Sequence, residues 1–100
     1  MPDRPKIPKD LLKALNYSSP EEAALEMVLL TARSRYAEFR QEVKRFEEKY
    51  GMRLEEFERM VAQRVDEEDF EQEEDLMAWK FAQQAADYWR EKIEELGRAA

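Results

Sequence analysis

The chain has 100 residues and a formal net charge of −7, with 43% hydrophobic and 41% charged residues, two glycines, and neither cysteine nor histidine. Without cysteine it has no disulfide framework and no thiolate metal site, and without histidine it lacks the commonest general base at neutral pH. This composition is typical of a helix-rich domain with its own core. We therefore expect a protein that is not an enzyme and has no catalytic residues, cofactor or bound metal.

The charge is distributed unevenly along the chain. Residues 1–20 carry +2, residues 21–65 carry −1 and residues 66–100 carry −8. Such an acidic protein repels the nucleic-acid backbone and attracts basic protein surfaces, so we expect no direct nucleic-acid binding. No apolar run approaches the roughly 18 residues that span a bilayer, and no signal-peptide pattern opens the chain. We expect a cytoplasmic protein with no membrane contact.

The first 18 residues are predicted to form an extended arm with a short helix. Prolines at every third position from 2 to 8 restrict the backbone and remove hydrogen-bond donors. Asp10 can then cap a short helix that docks on the body of the protein or on another subunit. The docking residues are Leu11, Leu12 and Leu15. The chain thus divides into an arm over residues 1–18 and one helical domain over residues 19–100.

A long helix is predicted from Pro20 to Tyr50. Ser19 is a suitable N-cap with Glu22 as the other half of a capping box, and Gly51 can adopt the left-handed conformation that ends a helix. Apolar residues recur along it at alternating intervals of 4 and 3, the a and d spacing of a coiled coil. A helix of about 31 residues is roughly 46 Å long and needs a partner along its length. This first seam comprises Leu25, Leu29, Ala32, Tyr36, Phe39, Val43, Phe46 and Tyr50.

Two further helices are predicted, a short one over residues 54–65 and a long one from about residue 73 to 96. The last helix has a second seam with the same spacing, which predicts an antiparallel hairpin of two long helices. The second seam comprises Trp79, Ala82, Ala86, Trp89, Ile93 and Leu96, whereas Met77, Phe81 and Tyr88 lie off it. So wide an apolar face indicates a second contact surface, either for the short middle helix or for another chain. We expect an all-α dimeric bundle, hence a homodimer.

The segment from Asp66 to Asp75 contains eight carboxylates in ten residues and is predicted to begin as a connector. Such a segment is most often solvated, but a merely solubilising one does not need Phe70 at its centre. Carboxylates around an apolar anchor can occupy a basic groove, and Trp and Tyr are enriched among binding hot spots. The predicted partner-binding residues are Glu67, Glu68, Asp69, Phe70, Glu71, Glu74, Asp75, Met77, Phe81 and Trp89.

Residues 67–71 also spell EExxE, which resembles the magnesium-binding signature of the all-α nucleoside triphosphate pyrophosphohydrolases. That family needs a second carboxylate set, ExxD, on a facing helix. The nearest candidates here are Glu91 and Glu94, which give ExxE. A magnesium-dependent pyrophosphohydrolase is therefore kept as a minor alternative.

The sequence FEEKYGM at residues 46–52, followed by EEFE at 55–58, an acidic stretch and Tyr88-Trp89, resembles small acidic helical antitoxin-like proteins of prokaryotic toxin–antitoxin pairs. The resemblance covers roughly residues 25–96, although such proteins commonly have Ser where this chain has Arg53. It implies neutralisation of a basic toxin by covering its active surface, and it supplies no catalytic residues. The main alternative is a structural or adaptor coiled coil that associates only with itself.

Overall fold

The computed structural model describes residues 6–64 and 69–99, which form four helices and contain no strand. They are α1 (Lys9–Ala14), α2 (Pro20–Tyr50), α3 (Leu54–Ala62) and α4 (Phe70–Ala99). The long helices α2 and α4 pack against each other, and α3 packs on α4. The predicted all-α fold with a packed pair of long helices is confirmed. Within the described ranges, no helix combines the length and the apolar character needed to cross a membrane.

The molecule is elongated, with extents of 66 × 32 × 19 Å and a radius of gyration of 20.6 Å. A compact chain of 100 residues would have a radius of gyration of about 13 Å. The difference arises because α2 and α4 form a single layer in which each is the main neighbour of the other. Faces of both helices therefore remain open on either side of the pair.

Both ends of α2 are formed as its sequence predicts. The Ser19 hydroxyl oxygen accepts a hydrogen bond from the Glu22 amide at 3.1 Å. The Glu22 carboxylate accepts one from the Ser18 amide at 2.7 Å, one residue earlier than a standard capping box, and this bonding to Ser18 lowers the pKa of Glu22. At the other end Gly51 has a φ of 65° and donates to the Glu47 carbonyl at 2.8 Å. Local chemistry therefore sets the length of α2.

The two seams face each other, and every seam residue is buried or half-buried. Burial is deepest at the end that α3 covers, where the core comprises Val43, Phe46, Phe57, Trp79 and Ala82. Ala82 packs in the same cluster as Phe46, which places a small residue of α4 beside a large one of α2. Toward the other end, Leu25 and Leu96 are only half-buried. The hairpin therefore has one closed end and one open end.

The boundaries of α3 and α4 differ from the prediction. Helix α3 ends at Ala62 instead of residue 65, which itself lies outside the described residues, and Arg53 provides no side-chain cap. Helix α4 begins at Phe70 instead of residue 73 and continues past Gly97. The Asp69 carboxylate accepts a hydrogen bond from the Gln72 amide at 3.2 Å, and acidic residues in the first turn interact favourably with the helix dipole. The acidic residues from 70 to 75, partly assigned to a connector, are therefore helical.

The three leucines predicted to dock α1 differ in burial. Leu12 is buried, whereas Leu11 and Leu15 remain 47% and 57% exposed. Leu11 and Leu15, four positions apart, share one face of this six-residue helix, and Leu12 lies on another. The predicted cap is also wrong, because Pro8 precedes the helix and Asp10 lies within its first turn.

Candidate functional site

Four large apolar side chains form a line along one face of α4 beside the second seam. Their exposed fractions are 69% for Phe70, 74% for Met77, 63% for Phe81 and 51% for Tyr88. Intervals of 7, 4 and 7 residues return to one face of a helix. We call these four residues the outer stripe. A continuous apolar surface of this kind is typical of an interaction site.

Neighbouring side chains support the outer stripe from its sides. The Phe81 ring contacts Phe39 of α2 edge to face, with 5.9 Å between centroids. The Tyr88 ring packs edge to face on Trp89 at 5.2 Å, and the Lys92 ammonium lies 5.4 Å from the centre of the Tyr88 ring. These contacts restrict the rings while their outer faces stay in solvent. The half of the stripe formed by Phe81 and Tyr88 is therefore preformed on a regular helix.

The two tryptophans of α4 occupy different environments. Trp79 is fully buried and stacks with Phe46 and Phe57, with ring centroids 5.6 and 5.3 Å apart. Trp89, a predicted partner-binding residue, is half-buried and lines an apolar pocket with Val28 at the open end of the hairpin. Trp89 therefore lies at the edge of the inner packing and not on the outer stripe.

Several of the predicted acidic contacts are engaged within the protein. The Lys49 ammonium lies 2.9 Å from a Glu71 oxygen and 2.6 Å from an Asp75 oxygen, and the Tyr50 hydroxyl also donates to Asp75. The Asp69 carboxylate lies 3.9 Å from the Arg64 guanidinium. These carboxylates join α4 to the preceding elements, which reduces their availability to a partner.

Glu74 is the predicted acidic residue that lies on the same face of α4 as the outer stripe. It follows Phe70 by four residues and precedes Met77 by three, so it shares their face of the helix, and it is exposed. Glu67 and Glu68 lie outside the described residues. Tyr88 also belongs to the stripe but was not among the predicted partner-binding residues. It follows Phe81 by seven residues, the same distance that separates Phe70 from Met77, and this spacing is the sequence signal that identifies it.

The hydrogen bonds around Lys49 shift the pKa values of Asp75, Tyr50 and Lys49. Burial tends to raise the pKa of Asp75, but the hydrogen bonds from Lys49 and Tyr50 outweigh it and hold that pKa below its usual value. Burial, with the hydrogen bond to Asp75, raises the pKa of Tyr50. Hydrogen bonds to Asp75 and Glu71 raise the pKa of Lys49. The ionised Asp75 is thus the form that the folded protein favours.

Replacing Asp75 with asparagine is expected to destabilise the protein by about 1 kcal/mol at pH 7. A carboxyl group with a lowered pKa stabilises the fold above its unfolded pKa of about 4, and this contribution is lost as pH falls through the folded pKa. The difference between the native chain and the variant should therefore shrink below pH 4. Urea unfolding at pH 7, 4 and 2.5 measures it, with Glu91→Gln as an exposed control on α4. A difference that is constant with pH would contradict this role for Asp75.

Within the described ranges, no group of three or more acidic side chains is arranged to hold a metal ion. The EExxE sequence begins at Glu67 and Glu68, outside those ranges, and its last member, Glu71, is paired with Lys49. The second candidate set, Glu91 and Glu94, is exposed on α4. The expectation that the protein has no metal and no catalytic residues stays a prediction.

A polar groove lies between α2 and α4 on the side opposite the outer stripe. Its lining includes Arg40, Arg90, Glu47 and Asp87. The Arg40 and Glu47 side chains approach to 3.7 Å, as do those of Arg90 and Asp87. Because opposite charges are paired there, the groove does not present a field of one sign.

Comparison with known proteins does not assign the chain to a family. No family model matches it, and neither the curated proteins nor the solved structures give a significant match. The functional argument therefore depends on the surface of the molecule itself.

Proposed function

We propose that this protein is a non-catalytic protein-binding module that contacts its partner through the outer stripe and Glu74. The observation that supports this proposal is the exposure of four large apolar side chains, between 51% and 74%, along a single helical face. Exposing such a surface to water is unfavourable, and covering it with a partner recovers that free energy. A helix also holds contact residues in fixed relative positions.

The charge of the chain supports a basic protein as partner. The net charge is −7, and the last 35 residues carry −8. This field attracts a basic surface over distance, while the apolar stripe provides the short-range contact. The resemblance to antitoxin-like proteins suggests the same role: a cytoplasmic neutraliser that covers the active surface of a basic toxin. An acidic helix of this kind would occupy a cleft that otherwise binds nucleic-acid phosphates.

The direct test is whether a gene beside this one encodes a small basic protein. We expect it to be toxic when expressed alone and to become harmless and soluble when both are expressed together. The variants Phe70→Ala and Phe81→Ala should each weaken the purified complex by about 2 kcal/mol, roughly 30-fold in Kd. Trp89→Ala tests whether the open end of the hairpin also contributes.

The matched control is Gln41→Ala, an exposed polar residue on α2 away from the stripe, which should leave Kd within about twofold. Isothermal titration calorimetry measures Kd, and thermal unfolding of each variant alone separates binding from stability. If the aromatic variants changed only the thermal stability, these residues would be structural and the proposed surface would be wrong. Heat measured on magnesium titration distinguishes the pyrophosphohydrolase alternative, which requires saturable binding.

A second candidate function is a structural or adaptor protein that associates only with itself. The single-layer architecture favours it, because one side of the helix pair carries the apolar stripe that a second hairpin would cover. Sedimentation velocity of the purified chain mixed with a candidate basic protein separates the two candidates, because only the binding module forms a mixed complex. A stable homodimer with no basic partner favours the adaptor function.

A further inference from the structure

The outer stripe is symmetric about Trp79. Phe70 and Tyr88 each lie nine positions from residue 79, and Met77 and Phe81 each lie two positions from it. The intervals of 7, 4 and 7 therefore read the same in both chain directions. A helix with this property presents a matching apolar surface to a second copy of itself that runs antiparallel.

We propose that a second copy of this chain docks on the outer stripe with the two α4 helices antiparallel and a two-fold axis at the level of Trp79. In this register Phe70 faces the partner's Tyr88, and Met77 faces the partner's Phe81. With Phe70 and Met77 taken as d positions of a heptad, Phe81 and Tyr88 are a positions. Each pair therefore joins a d position to an a position, as in the seam of a coiled coil. The contact is isologous, so it closes at two copies. This inference rests on the proposed function in that it names a partner for the same surface.

The polar residues on the same helix face as the stripe also pair with each other across the two copies in this register. Glu74 and Gln84 lie five positions from residue 79 on either side. Each Glu74 therefore faces the partner's Gln84, whose amide can donate a hydrogen bond to the carboxylate. A register shifted by one turn would lose this pairing and bring Glu74 opposite the aromatic ring at position 81 or 88 of the second copy. The acidic character of α4 is thus compatible with self-association in this register.

The exposed area is sufficient for a dimer. With about 150–250 Å² for a large side chain, the exposed fractions of the four stripe residues amount to roughly 500 Å² per chain. Two copies contribute about 1,000 Å², the lower limit for a specific interface, before flanking residues are counted. Ala78 and Ala85 border the stripe, and their small side chains permit close approach of the two helices. A basic partner and a second copy would compete for this surface.

Disulfide cross-linking tests the register directly, because the chain contains no cysteine of its own. An equal mixture of the variants Phe70→Cys and Tyr88→Cys, gently oxidised, should yield a covalent dimer of one chain of each kind. Each variant alone should remain uncross-linked, because two copies of residue 70 would lie about 27 Å apart along the helices at 1.5 Å per residue. Phe70→Cys mixed with Phe81→Cys is the register control and should not cross-link.

Sedimentation velocity provides the second measurement. The native chain should be a dimer at micromolar concentration, and Phe81→Glu should raise the dimer dissociation constant at least 30-fold while circular dichroism shows the same helix content. Gln63→Glu, which adds the same charge beyond the end of α3, should leave the dimer intact. A monomeric native chain without the mixed cross-link would overturn this inference but leave the stripe free for another protein, so the proposed function would stand. Self-cross-linking of Phe70→Cys would show a parallel pair and overturn the antiparallel register.

Discussion

The variant Trp79→Ala is expected to be less stable than the native chain by about 3–5 kcal/mol. Trp79 is fully buried, and its ring lies in a stack with those of Phe46, Tyr50 and Phe57 at centroid distances of 5.3 to 6.1 Å. Removing it leaves a cavity where α2, α3 and α4 meet. Because domains of this size have total stabilities of about 5–15 kcal/mol, the variant should be partly or largely unfolded at 37 °C.

Urea unfolding followed by circular dichroism measures this loss, and Trp89→Ala is the matched control. The control removes the same side chain from the same helix at a half-buried position, so its cost should be clearly smaller. Trp79→Phe adds a second comparison. The Trp79 indole nitrogen is buried without a hydrogen-bond partner, so removing that group offsets part of the packing loss. Equal costs for the two alanine variants would show that the core is not centred on Trp79.

Replacing Phe57 with alanine is expected to cost a similar 3–5 kcal/mol, with its largest structural effect on α3. Phe57 is fully buried, and its ring lies 4.1 Å from the Tyr50 ring and 5.3 Å from the Trp79 ring. Helix α3 has nine residues, too few for stable helix formation without tertiary packing. Without Phe57 we therefore expect α3 to lose its order while α2 and α4 remain paired.

Hydrogen exchange resolved by residue measures this effect, because amides in α3 should lose protection before those in the middle of α2. Phe70→Ala is the control, since it makes the same change at an exposed position, and at concentrations that keep the chain monomeric it should cost about 0.5 kcal/mol or less. Uniform loss of protection across all helices would mean that α3 and the long pair unfold as one unit, contrary to this prediction.

Features that depend on neighbouring residues could be predicted from the sequence. Ser19 and Gly51 set the ends of α2 because capping and left-handed turns involve only a few consecutive residues. The two seams followed from intervals of 3 and 4, since the geometry of a helix determines which residues share a face. The same regularity indicated that Met77, Phe81 and Tyr88 lie off the second seam, and they are exposed.

The tertiary structure decided which of these surfaces are covered. Trp79 and Trp89 both lie on the second seam, yet only Trp79 is fully buried, because α3 packs over one end of the hairpin. Likewise, Lys49 pairs with Glu71 and Asp75 only because the end of α2 meets the start of α4. Sequence periodicity defines the faces of a single helix, but the burial of a face depends on contacts between residues more than 20 positions apart, which no local pattern specifies.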